Sequence, residues 1–128
     1  MSMTFEETRK YLLGKPESVL EYPFGPDTAV FKVNSRMFAT LSENEAGAYS
    51  NLKCNPEEAI MLRDLFREVV PGYHMNKKHW NTVHLDGELP NGEIERMIDN
   101  SYTLVVKSLP RKTRQGMEIR HGSESLYR

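Results

Sequence analysis

The chain has 128 residues, 38% hydrophobic and 27% charged, and a formal net charge of -1. That length supports one core, the apolar share argues against wholesale disorder, and the near-neutral total gives no global basic field. One cysteine, Cys54, rules out an intramolecular disulfide, and no apolar run approaches the roughly 18 residues of a membrane span. Acidic residues in MSMTFEETRK stand where a signal peptide would carry its apolar run, so a cytoplasmic protein with no membrane partner is expected.

Thr4 followed by Glu7 makes a capping box, and Gly14 with Pro16 supplies a stop, which predicts a first helix over Phe5–Leu13. Strand signals follow: SVLEY, then AVFKV and RMFATL joined at Asn34-Ser35, then AYSNLKC after the ENEAG loop. In AVFKV, residues Ala29, Phe31 and Val33 share one face and Val30 and Lys32 the other, the alternation of a half-buried antiparallel sheet. Asn55 is placed to cap a second helix with Pro56 at its first position. Leu62, Leu65, Phe66 and Val69 give that helix a buried stripe, and Pro71-Gly72 ends it. HWNTVHL reads as a strand closed by Asp86-Gly87, with Trp80 buried against the last helix. From Asn91, Ile94, Met97, Ile98, Tyr102, Val105 and Leu109 repeat at helical spacing over four turns.

The fold class that results is α+β: an antiparallel β-sheet packed with an N-terminal helix, a middle helix and a long C-terminal helix, over residues 1–109. Residues 110–128 show no sustained period and read as a basic C-terminal tail with the composition of a flexible segment. The tail holds five Lys/Arg against Glu118 and Glu124, a net of +3, which leaves the body at -4.

Most reactive side chains have an ordinary reading. His79 and His84 lie five apart on a strand and so face opposite ways; only His84 and Asp86 share a side, too few for a metal site. Cys54 reads as buried filler beside a helix start. Glu6-Glu7, Glu57-Glu58 and Glu93/Glu95 sit in first helical turns, where they complement the helix dipole. No catalytic residue, metal or cofactor is expected. Residues 72–81 interleave aromatic groups with cations and amides, as nucleic-acid surfaces do. An equally good reading makes Trp80 a core residue and Lys77-Lys78 a solvated turn.

YHMNKKHWNTVHLDGELPNGEIERMIDNSY, residues 73–102, resembles the signature region of the MmcQ/YjbR family: His74, Asn76, Lys77, His79, Trp80, Thr82 and Val83 match its H-x-N-K-x-H-W-x-[ST]-V core. FKVNSRMFATLS and LKCNPEEAIMLRD resemble the family's hairpin and its strand followed by a short helix, so the likeness spans roughly residues 11–109. The resemblance implies a frataxin-like or secretion-chaperone-like α+β fold and non-enzymatic DNA binding, weak and without sequence preference. A frataxin-like iron role would want an extended acidic ridge, and the first helix offers only Glu6 and Glu7. On that reading Lys77, Lys78 and His79 contact phosphate, and Arg36 adds a contact if the hairpin acts as a wing. His74, Asn76 and Trp80 hold the loop and strand in place. The alternative is a protein-interaction module, adaptor-like or chaperone-like, whose partner protein docks on the sheet face or on an exposed helix.

Overall fold

The computed structural model describes residues 3–127; Met1, Ser2 and Arg128, the last counted in the basic tail above, lie outside the described residues. The order of elements is α1 (Phe5–Leu13), β1 (Ser18–Glu21), β2 (Thr28–Val33), β3 (Arg36–Asn44), β4 (Gly47–Lys53), α2 (Pro56–Leu65), β5 (Val69–Pro71), β6 (Trp80–His84), α3 (Asn91–Lys107), α4 (Arg111–His121) and α5 (Ser123–Leu126). The six strands form one antiparallel sheet in the order β1-β2-β3-β4-β6-β5. This is the expected α+β architecture.

Local chemistry sets several of these elements. Thr4 and Glu7 exchange both capping-box hydrogen bonds at the start of α1, and Asn55 Oδ1 accepts from Glu57 N ahead of α2. Asn34 and Ser35 both take positive φ, 47° and 70°, which turns β2 into β3 through a two-residue hairpin matched to the twist of the strands. A register shift between Phe31 and Lys32 leaves Phe38 as the extra residue of β3. The shift turns the Phe38 ring toward the helices, where it meets the Tyr102 ring edge-on at 5.2 Å.

The pairing register sorts side chains onto two faces. Ala29, Phe31, Ala39, Leu41, Leu52 and Val83 point one way and form the core with Ile94, Ile98, Tyr102 and Val105 of α3. Ser101 fastens α3 to this side: its hydroxyl donates to Phe38 O (2.6 Å) and accepts from Lys53 N (2.8 Å). The other face, with Thr40, Asn51 and Thr82 opposite one another at its centre, carries no helix among the described residues. Val30 lies on that face and is nonetheless buried, so the face is covered in part by loops. No helix among the described residues is long and apolar enough to cross a membrane.

Three sequence expectations differ from the structure. The second helix stops at Leu65, because Phe66 turns extended (φ -126°, ψ 120°); Leu65 is 63% exposed and Val69 belongs to the short edge strand β5. Trp80 is half-buried and shares its face with Thr82 and His84, so it lies on the side of the sheet away from α3. Residues 111–126, read as part of an aperiodic tail, are nearly all helical, and Met117 and Leu126 are buried in the common core.

Candidate functional site

The segment linking β5 to β6, residues 72–79, is held from within. Asn76 Oδ1 accepts from Lys78 N (2.9 Å), and the Asn76 carbonyl accepts from His79 N and Trp80 N. Lys77 Nζ donates to Gly72 O at 2.9 Å, which turns that ammonium back into its own loop. Arg63 of α2 braces the base of the loop, donating to Asn81 Oδ1 (2.7 Å) and to the carbonyls of Lys77 and Trp80. Gly72 has no room for a side chain, since an added Cβ would come within 2.8 Å of Trp80 Cβ. His74 holds a left-handed φ of 59°, a conformation histidine tolerates better than most residues, and its ring lies 4.1 Å from that of Tyr73. Lys78 and His79 are exposed.

Arg36 points to the helix side, where its guanidinium donates to the carbonyl and hydroxyl of Ser108 at the end of α3. It therefore closes the C-terminus of that helix, where carbonyls are left without intrahelical partners. Arg36 and the loop share one end of the sheet, because the β2–β3 turn, the end of β4 at Lys53 and the start of β6 at Trp80 coincide there. Strand spacing puts β3 and β6 roughly 10 Å apart at that end.

Charge is divided along the strands. At the hairpin end stand Arg36, Lys53, Lys77 and Lys78 and, three residues past Ser108, Arg111 and Lys112 at the start of α4. At the opposite end stand Glu43, Asp86 and Glu88, around a concavity of about 680 Å³ that also includes Thr4 and Phe5 at the start of α1; Glu68 lies beside them, and the one cation paired there among the described residues, Arg67, reaches Glu68 at 3.9 Å and Glu88 at 3.8 Å. Among the carboxylates of the hairpin end, Glu17 is paired with Arg120 and His121 (both 2.8 Å) and Glu58 with Arg96 (3.3 Å), while Glu57 is exposed. A chain of net charge -1 is thus basic at one end and acidic at the other.

On the helix-free face, a cleft of about 300 Å³ opens between the β1–β2 loop and the 72–79 loop. Phe24 and Met37 form one wall, Tyr73, His74 and Met75 the other, and Thr40, Tyr49 and Asn51 the floor. A hydrogen-bond network fixes the second wall to the floor: Thr82 Oγ1 donates to Asn51 Oδ1 and accepts from Tyr73 N (2.8 Å), and Asn51 Nδ2 donates to Tyr73 O (3.4 Å). The sequence reading missed Phe24, Thr40, Tyr49 and Asn51. The signal available for them was the alternation of Thr40 and Ser42 with Ala39 and Leu41, and of Tyr49, Asn51 and Lys53 with Ala48, Ser50 and Leu52, which marks a second, polar face.

Cys54 is buried, and burial together with the nearby Glu58 carboxylate pushes its thiol up to about 11. Such a thiol is a poor nucleophile at neutral pH. Among the described residues, no three of His, Cys, Asp or Glu gather into a group able to hold a metal ion.

The comparisons agree with this architecture. A family model described as YjbR matches residues 13–104. "Uncharacterized protein YjbR" of Escherichia coli K12 is 36% identical over 113 residues, spanning 88% of this chain and 96% of its own. "Uncharacterized protein YbdF" of Escherichia coli O157:H7 is 34% identical over 107 residues, spanning 84% and 88%. The crystal structure of Deinococcus radiodurans protein DR2400 superposes with a TM-score of 0.83 at 34% identity, covering 91% of this chain and 88% of that one. A Pseudomonas syringae crystal structure superposes with a TM-score of 0.73 at 32% identity, covering 80% and 98%. With the family model matching well over half of its length and these relatives aligned nearly end to end, the chain belongs to the YjbR family.

Proposed function

We propose that this protein is a non-enzymatic binder of duplex DNA, weak and without sequence preference, which meets the phosphate backbone with the hairpin end of its sheet. The division of charge carries the reading. Nonspecific affinity for DNA comes from cations placed together, and a chain of near-zero total charge can supply them when its fold sends carboxylates to the other end. Lys78 and His79 make the loop-side contacts and Arg111 and Lys112 the helix-side contacts. Lys77 and Arg36 serve the site indirectly, by holding the loop through Gly72 O and the end of α3 through Ser108.

Lys78→Ala combined with Lys112→Ala should weaken binding to all duplex sequences alike. It should also flatten the plot of log affinity against log salt by roughly 2, each lost contact removing about 0.9. An unchanged slope would remove these residues from the interface. A protein-interaction reading draws on Ile60, Met61 and Leu65, all more than half exposed on α2. It becomes the preferred reading if the double variant and the native protein alike fail to bind DNA.

A further inference from the structure

We infer that the cleft on the helix-free face of the sheet takes one unpaired nucleobase of a single strand. This rests on the DNA reading above and adds a second mode to it. Among the described residues, no carboxylate, lysine or arginine lines the cleft, and His74 stands at its edge. A phosphate has nothing to meet there, and neither has a charged side chain. Its volume of about 300 Å³ is at the small end of ligand pockets, enough for a planar ring system. Both walls offer aromatic faces, Phe24 at 73% exposed on one side and Tyr73 at 55% exposed with His74 on the other.

The floor supplies edge chemistry. Thr40 Oγ1 accepts from Asn51 N at 3.2 Å and keeps its own O–H to donate. Asn51 Nδ2 spends one hydrogen on Tyr73 O and has a second to give. Aromatic faces above amide and hydroxyl groups are what a splayed-out base requires, because its π-face stacks while its edge hydrogen-bonds. In a duplex both face and edge are already occupied, so the occupant is single-stranded. The wall that carries Tyr73 and His74 runs on through Asn76 into Lys78 and His79, which places cations along the path of the same strand.

Two titrations test this. In the first, binding of single-stranded oligothymidylate and of its duplex with oligodeoxyadenylate is compared for the native protein, Phe24→Ala, Tyr73→Ala and Lys78→Ala. Each aromatic variant should weaken single-strand binding roughly 5- to 100-fold and leave duplex binding unchanged, whereas Lys78→Ala weakens both. In the second, thymidine, which has no phosphate, is added to ¹⁵N-labelled protein and should shift the amides of Thr40, Asn51 and Tyr73. Unchanged single-strand affinity in both aromatic variants, or thymidine shifts that miss these amides, would overturn the cleft assignment while leaving duplex binding intact. Shifts at the same amides from indole and not from thymidine would also overturn it, assigning the cleft to a protein side chain. Thymidine shifts without binding to either oligonucleotide would keep the base-binding cleft and discard the DNA reading.

Discussion

Trp80 shows how the face of one residue decides its role. On β6, Asn81 and Val83 face α3, so Trp80, Thr82 and His84 face the loop side, and Trp80 abuts Gly72 there. The strand itself was legible from HWNTVHL, but period-2 alternation does not say which of its two faces meets the helices. Both faces of this strand contain buried residues, which removes the usual polar cue. Lys77 and Arg36 were similarly legible as cations near a turn, yet their hydrogen bonds to Gly72 and Ser108 depend on contacts across 5 and 72 positions. Cys54 gives a residue-scale prediction. Its thiol stays protonated until the pH approaches about 11, so iodoacetamide labelling should be slow at neutral pH and accelerate only in strongly alkaline buffer. Rapid labelling at pH 7 with an acidic midpoint would contradict its buried placement.

At the scale of elements, those defined by their own ends could be read directly. The Thr4–Glu7 capping box, the Asn34-Ser35 turn and the Ile94-to-Leu109 stripe belong to α1, the β2–β3 hairpin and α3, and each signal lies inside or beside its element. β5 could not be read, because Val69 continues the helical spacing of Leu62 and Leu65 and only the pairing of Val69, Val70 and Pro71 with Val83, Thr82 and Asn81 makes it a strand. α4 was hidden for another reason: of RKTRQGMEIRH only Met117 is buried, so no stripe marks the helix. Glu17, Asn34 and Glu118 then hold the C-terminal elements through Arg120 and His121, Met117 and Tyr127 respectively. Since Met117 is fully buried, Met117→Ala should cost about 2 to 5 kcal/mol in chemical denaturation. A loss below about 1 kcal/mol would show α4 to be dispensable to the core.

For the whole molecule, the sequence showed a basic tail and a mildly acidic body, a division by position in the chain. The fold makes a different division, by end of the sheet, and brings Arg111 and Lys112 of the tail to the same end as Lys78. That rearrangement follows from antiparallel topology, which interleaves distant segments at each end, and net charge counted along the chain does not reveal it. The sheet-face cleft depends on the same non-local assembly, since its walls and floor come from four separate segments. Under the proposed function, this basic end binds DNA electrostatically. A titration of the 128-residue chain with random duplex DNA at several salt concentrations tests it most directly. With Lys78, Arg111 and Lys112 engaged, binding in the micromolar range is expected at about 50 mM salt, and log affinity should fall against log salt with a slope of roughly -3. No measurable binding at that salt, or an affinity that does not change with salt, would contradict the account.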